Sequence, residues 1–383
     1  MVSLSKDNRY MCSGCTACAN RCPVGCITMK RDKMGFMYPE VDEEKCIHCD
    51  ICDKVCAEMR SKYSQDGADA EACAIVGTDE SVRKVSSSGG LFWLVAKKIL
   101  DDNGVVFGAS FSDDFHRIRH IAVERTEDLP RLQGSKYVQS DMNSTFSEAK
   151  TYLEQGRKVL FSGTPCQISG LSAFLSKDYE NLLLVDIVCH GVPAPNVWDE
   201  YVGSLEQKYH GKAIGISFRD KRYGWNNYVL SVGFGNGKEY VKNREDDLFM
   251  RGFLHDYYLR PSCYNCAHKG LNRVSDITLG DLWGAEKLCP ELNDNKGTSL
   301  VLVSSDKGKA ILKEVASDIK CSAVDLSEAV KFNPAIVKSA GDCAERVKFE
   351  QEFGVQPTNQ LLNKFCSRPF YKRVAKKLKS FLK

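Results

Sequence analysis

In SGGLFWLVAKKILDDNG, residues 88–104, the apolar side chains share one helical face, lysines come late and a glycine closes the run, which predicts a helix. VVFGASF and IRHIAVE then read as strands, and MNSTFSEAKTYLEQG as a second helix followed by the strand KVLFSG. TPCQISGLSAFLS predicts a third helix, LLLVDIVC a buried strand, and VPAPNVWDEYVGSLEQKY a long amphipathic helix. KAIGISF and YVLSVGFGNGKEYVK are strand-like, with a hairpin turn at Asn236-Gly237. DITLGD and TSLVLVSS are later strands. The mixture predicts an α/β (α+β mixed) domain from about residue 75 onward.

The two ends differ from this body. Residues 1–60 hold turns and cysteines with little apolar periodicity, so metal rather than a hydrophobic core is expected to hold them. Residues 61–73, SKYSQDGADAEAC, are polar and read as a linker. From Asn363 to the end there are eight Lys or Arg and no acid, while Phe370, Val374, Leu378 and Phe381 recur at helical spacing. That pattern predicts a basic terminal helix over 355–383. It either packs on its own domain or docks onto an anionic membrane face or an acidic protein partner.

The chain has 383 residues, room for a large domain and a small one. A net charge of +3 with 27% charged residues argues against nucleic acid as the main partner. The N-terminus has no signal-like apolar core, and the longest apolar runs are too short to span a bilayer, so a cytoplasmic location is expected. Eighteen cysteines in such a setting point to metal rather than disulfides. Five of them (Cys73, Cys289, Cys321, Cys343 and Cys366) are scattered and read as small buried hydrophobes.

Cys12, Cys15, Cys18 and Cys22 obey C-x2-C-x2-C-x3-C-P, and Cys46, Cys49, Cys52 and Cys56 repeat the spacing with Ala57 in place of the proline. Thiols two residues apart on a tight loop can hold three corners of an iron-sulfur cube, and the fourth comes from the other run. Cluster one is therefore assigned to Cys12, Cys15, Cys18 and Cys56, and cluster two to Cys46, Cys49, Cys52 and Cys22. Zinc is the rival reading of any CxxC pair. Cys26 is a spare thiol, read as a packed neighbour. This part resembles the bacterial two-cluster ferredoxin over roughly fifty residues, with a domain boundary expected near residue 62.

In the larger domain, Ser86, Ser87, Ser88, Gly89 and Gly90 stand at a predicted helix start, where hydroxyls, unhindered amides and the helix dipole can seat a phosphate. Cys166 and Cys189 fall at strand-to-helix junctions, the carboxyl edge of a sheet where α/β proteins bind ligands. Cys263 and Cys266 form a further CxxC. Together these four thiols suffice for a third cube, with zinc or a redox dithiol as competing readings.

SSSGG, GSKYVQSDM, FSGTPCQISGL, VDIVCHGVPAP, FRDKRYGW, CYNCAHKG and SDITLGDLWG, in that order over residues 75–345, are similar to the coenzyme F420 hydrogenase/dehydrogenase beta-subunit family. The resemblance implies an α/β flavoprotein that binds FAD and carries a 4Fe-4S cluster near the flavin. By motif, Cys166, Cys189, Cys263 and Cys266 would ligate that cluster. Ser87–Gly90 and Lys136–Tyr137 would line the flavin site, with the lysine stabilising charge on the reduced ring. Arg219, Lys221 and Arg222 could neutralise the pyrophosphate or an anionic substrate, or their run is a solvated loop; Asp281 would orient a cluster-side loop or contact the cofactor, and Thr164 and Asn226 are further contacts. His190 and His268 sit beside ligand cysteines, where hydrogen bonding to the ligands or plain packing is expected. The function implied is an iron-sulfur flavoprotein oxidoreductase that passes electrons between the clusters and FAD, exchanging hydride with an organic acceptor or donor such as coenzyme F420. A redox partner protein or a small-molecule hydride acceptor is its expected partner. The alternatives are a non-catalytic electron-transfer subunit and a cluster-linked dithiol reductase.

Overall fold

The structure, a computed structural model, describes residues 9–60 and 70–367. The N-terminal part contains one antiparallel hairpin, β1 (Ile27–Arg31) with β2 (Met37–Val41). The remaining strands are β3 (Glu71–Gly77), β4 (Val105–Phe111), β5 (Ile118–Val123), β6 (Val159–Gly163), β7 (Leu182–Ile187), β8 (Ala213–Asp220), β9 (Val229–Phe234), β10 (Glu239–Asn243), β11 (Ile277–Asp281), β12 (Ser299–Val303) and β13 (Ile319–Ala323). Eight of them form one mixed sheet in the order β13-β3-β12-β11-β7-β6-β4-β5, and β10-β9-β8 form a second, antiparallel one.

Within the large sheet β4, β6, β7 and β11 run parallel, and each is flanked by helices. Val106 and Leu160 point to the face covered by helix Leu91–Asp101, where Leu91, Val95 and Ile99 meet them. Val105, Phe107, Val159 and Phe161 point the other way, onto helices Thr145–Glu154 and Pro165–Leu175. Both faces of β6, β7 and β12 are therefore covered, which is why these strands read as continuous apolar runs rather than alternating ones. The result is a mixed α/β domain behind a small cysteine-rich one, as the sequence predicts.

The parallel strands all end on one edge, with Gly163, Ile187 and Asp281 as their last residues. β3 has the same direction as β11, since β12 lies antiparallel to both. The Ser86–Gly90 segment returns to this same edge, where Gly77 N–H donates to Gly89 O at 2.8 Å. One sheet edge thus collects the serine-glycine segment, Asp281, Cys189 and Cys166.

Three expectations need correction. Of the five scattered cysteines only Cys289 and Cys366 are buried; Cys73 and Cys343 are half-buried, and Cys321, on edge strand β13, is exposed. Residues 71–73 are not linker but the first residues of β3, paired with β12 and β13. The N-terminal part is not held by thiols alone: Ile27, Met34, Phe36 and Tyr38 are buried in the same core as Trp198, Phe249 and Phe349. Burial of those four side chains, at about 1.5–3 kcal/mol for each fully buried one, ties the small domain to the large one without any metal. The hairpin at Asn236-Gly237 forms as expected, with Gly237 at φ 79°. Among the described residues no helix is long and apolar enough to cross a membrane. Phe370, Val374, Leu378 and Phe381 of the basic terminal segment lie outside the described residues, as do 61–69 of the linker.

Candidate electron-transfer site

The two cysteine runs adopt the same backbone. Left-handed residues fall two and four positions after the first cysteine in each: Gly14 (φ 71°) and Thr16 (φ 70°), then His48 (φ 52°) and Asp50 (φ 55°). Such residues reverse the chain locally and turn successive side chains inward. Cys15 and Cys18 lie close enough to Cys12 and Cys56 to be raised electrostatically by them. Burial pushes the Cys15 thiol up to about 12 and Cys56 to about 11, and the neighbouring thiols add to the rise at both. Cys15, Cys18 and Cys56 thus resist ionisation together; iron supplies the positive charge that would hold them as thiolates. With Cys12 these are the residues assigned to cluster one.

Cys22, Cys46, Cys49 and Cys52, assigned to cluster two, line one cavity with Val24, Ile47 and Asp50. Burial opposes ionisation of Cys22, but the amides of Cys26, Val24 and Gly25 outweigh it and hold that thiol below its ordinary range. Cys26 lines the same cavity, its sulfur 3.4 Å from that of Cys22. The spare thiol is a packed neighbour of Cys22, as expected, and also borders the cluster-two pocket.

Cys166, Cys189, Cys263 and Cys266 surround a third cavity. Cys166 is the second residue of helix Pro165–Leu175, fixed by a capping box between Thr164 and Gln167. Thr164 Oγ1 is also 3.1 Å from Cys166 Sγ. Burial raises all four thiols, Cys263 to about 12 and Cys266 to about 11, while Lys269 and Arg273 oppose the rise at Cys189. Among the described residues no group of three or more His, Cys, Asp or Glu side chains has the geometry to hold a metal ion as it stands.

Three contacts join this cavity to the N-terminal runs. A Cβ on Gly170 would lie 2.8 Å from Cys15 Sγ, so the helix that carries Cys166 touches a cluster-one thiol one turn after it, about 6 Å along its axis. His268 Nε2 and Glu58 Oε1 are 2.9 Å apart, joining the residues that follow Cys266 and Cys56. His190 instead faces Asp256, at 2.6 Å. Arg260 donates from Nε to Cys12 O at 2.7 Å and also borders the cavity. A branched side chain at Gly170 has no room. Gly170→Val is expected to remove cluster-one iron while leaving the fold's circular dichroism close to wild type, which iron analysis with EPR will check.

Beyond the cavity the flavin candidates converge on Arg219, which is buried. Its guanidinium donates to Asp281 Oδ2 at 2.7 Å, to the Tyr137 hydroxyl at 3.3 Å and to Ser87 O at 3.3 Å. It lies 4.1 Å from the Tyr228 ring centre and 5.3 Å from that of Trp283. The Ser87 hydroxyl accepts from Ser135 N–H at 2.7 Å. Gly89 is a glycine for a steric reason, since a Cβ there would lie 2.2 Å from Ile75 O. Gly90, at φ 93°, caps helix Leu91–Asp101. Ser88 Oγ and Arg219 Nε are buried without a hydrogen-bond partner.

Lys136 is half-buried, its ammonium donating to Gln133 O at 3.0 Å and Gly134 O at 3.2 Å. Desolvation pushes it down to about 7. Lys221 donates to Arg83 O, Ser88 O and Lys296 O, tying the serine segment to the loop before β12. Arg222 stands apart on the small sheet, engaged by Asp220 and Glu239. Asn226 is likewise apart, its N–H donating to Asn295 Oδ1.

Several residues at the site carry no sequence motif. His120 bridges Ser162 O and the Ser140 hydroxyl at 2.9 Å each, and Gln167 donates to that same hydroxyl, so the helix bearing Cys166 is tied to the loop after Lys136. Burial drives His120 down to about 4, and it stays neutral. Arg260 and Arg273 also lie outside the motifs, whereas Lys269 falls within CYNCAHKG. The one available signal was three basic residues within seven positions of Cys263 or Cys266.

These thiol runs ahead of a mixed α/β domain define an iron-sulfur protein of the oxidoreductase, electron-transfer class. Residues 11–58 match the 4Fe-4S dicluster domain model, and residues 156–329 match the model for the C terminus of the coenzyme F420 hydrogenase/dehydrogenase beta subunit. The chain is an N-terminal 4Fe-4S ferredoxin domain fused to an F420 hydrogenase/dehydrogenase beta-subunit-like domain. Among solved structures it is similar in fold to a chain of the F420-reducing NiFe hydrogenase complex from Methanosarcina barkeri, studied with xenon. The identity is 15% and the TM-score 0.51, over 76% of this chain and 95% of that one. No curated protein matches the chain.

Proposed function

We propose that the protein is an iron-sulfur flavoprotein oxidoreductase. In this reading Cys166, Cys189, Cys263 and Cys266 hold a third 4Fe-4S cluster, and the edge formed by Ser87–Gly90, Lys136, Tyr137, Thr164, Arg219 and Asp281 holds FAD. Residues 1–62 would be the ferredoxin domain, 75–345 the flavin and third-cluster domain, and 355–383 a basic terminal helix. The observation that carries the reading is the placement of four half-buried thiols around one cavity, with Cys166 one helical turn from the contact with Cys15.

The donor set suits both groups. Half-buried Lys269 and buried Arg273 offset the negative charge of a thiolate-ligated cube. The unpartnered Ser88 hydroxyl and Arg219 Nε leave donors for an anionic, aromatic ligand. A bound flavin exchanges electrons singly with clusters and in pairs, as hydride, with an organic partner. Asp281 holds Arg219 in place, and Arg219 in turn orients Tyr137. Lys136, poised near neutrality, places a proton or a positive charge at the ring. The acceptor class we favour is a soluble hydride carrier, with coenzyme F420 as the first candidate. Arg222 contributes nothing in this arrangement unless its two carboxylate partners release it.

Protein purified without oxygen is expected to be brown, to contain about twelve irons per chain from three cubes, and to carry one FAD. A flavin-free preparation that rejects added FAD would end the flavoprotein reading, and about eight irons would leave Cys263–Cys266 a dithiol.

A further inference from the structure

Arg260 precedes the CxxC of the third cavity and is 1% exposed. Each polar group it touches is formally neutral. Nε donates to Cys12 O at 2.7 Å, Nη1 to Gln139 Oε1 at 2.9 Å, and Nη2 to Met37 O at 2.9 Å. Nη2 also reaches Cys12 Sγ at 3.7 Å, and the Tyr38 ring centre lies 4.3 Å from Cζ. Among the described residues it has no carboxylate partner, unlike Arg219 with Asp281 or Arg273 with Asp186. A permanently charged guanidinium buried without a counter-ion is strongly unfavourable, so its place implies an anion that protein carboxylates do not supply.

Thiolate clusters are the anions within reach. Cys12 of cluster one touches the guanidinium on one side, and on the other Arg260 borders the cavity of Cys166 and Cys263. Its charge is felt at the Cys263 thiol. We propose that Arg260 is the shared counter-ion of cluster one and the third cluster, holding both reduction potentials above that of cluster two. The inference rests on the third cluster of the preceding reading.

The physical basis is direct. Reduction adds one negative charge to a cube, and a fixed positive charge at its edge favours the reduced state, the more so in a dry interior. Lys269, whose ammonium donates to the carbonyls of Cys189 and Ala335, acts in the same sense on the third cluster; the Glu58–His268 pair opposes it. Among the described residues no lysine or arginine lines the cluster-two cavity; Lys45, whose charge reaches Cys26, is exposed and paired with Asp42. Asp50 is the one charged side chain lining it among the described residues. One electron entering cluster two from a one-electron donor protein therefore moves downhill to cluster one and on to the third cluster, each centre being oxidised as the next is reduced, with no bond made or broken. Arg260 thus fixes the direction of flow inward, toward the flavin edge.

Redox titration followed by EPR on anaerobic full-length protein tests this, with the cluster-two signal assigned by its loss in Cys49→Ser. Wild-type protein is expected to show cluster two reduced last. In Arg260→Gln the reduced-to-oxidised ratio of cluster one and of the third cluster at a fixed potential should fall about tenfold, which is about 59 mV for a one-electron couple. Cluster two should not move, and Arg260→Lys should restore most of the shift. Unchanged potentials in Arg260→Gln, a shift at only one of the two centres, or an equal shift at all three would overturn the proposal. So would a wild-type order with cluster two reduced first, an outcome that needs no variant to fold. Twelve irons with unmoved potentials refutes Arg260 alone, whereas eight irons in wild type refutes the third cluster and the shared role with it.

Discussion

Cys263→Ser is expected to leave the chain with about eight irons of about twelve, and to stop electrons that enter the N-terminal clusters from reaching flavin. Iron in such clusters prefers soft thiolate, and a serine hydroxyl is a poor replacement. Cys263 lies in the short turn Pro261–Asn265, so the loss should be confined to its own cavity. Anaerobic iron and sulfide analysis gives the stoichiometry, and stopped-flow reduction by a one-electron donor gives the transfer. N-terminal EPR signals should persist at full intensity. Full iron in the variant would remove Cys263 from the ligand set.

The second large effect belongs to Lys136. With its ammonium near 7, the residue is mostly charged at pH 6 and mostly neutral at pH 8. A positive charge beside the ring stabilises the reduced, anionic flavin, so the flavin potential in the wild type should drop more steeply across pH 6–8 than the ring's own protons require. Lys136→Met removes the charge at every pH. It should therefore lower the potential strongly at pH 6 and barely at pH 8, flattening the excess slope. Spectroelectrochemistry at the two pH values decides the matter. Equal potentials for variant and wild type at pH 6 would place Lys136 away from the ring.

What the sequence disclosed follows from periodicity and spacing. Strands β6, β7 and β12 are buried on both faces, and their apolar runs have no other reading. β13, at the sheet edge, has the sequence IKCSA with most side chains facing solvent, and nothing in its pattern marks a strand. β3 begins with exposed Glu71 and half-buried Ala72 and Cys73, so its polar approach hides the buried second half. Cysteine spacing announced the thiols because a cube dictates loop geometry. Arg260 announced nothing, because its role comes from a place between two distant segments, and no local pattern records that. Arg219 and Arg222 are three residues apart, yet one ends buried at the site and the other on an outer surface. Only the course of the chain past β8 separates them.

The mixing of the first forty residues with the last hundred has a consequence for biogenesis. Phe36 and Tyr38 share a core with Phe349, and Arg9 pairs with Glu350 at 2.8 Å. A ribosome delivers the amino end long before those partners exist, so the ferredoxin loops emerge without their final support. Iron-sulfur assembly factors would thus meet the leading thiols either on a nascent, incompletely packed segment or after release. Closure of the shared core then covers Cys12, the first thiol of the leading run.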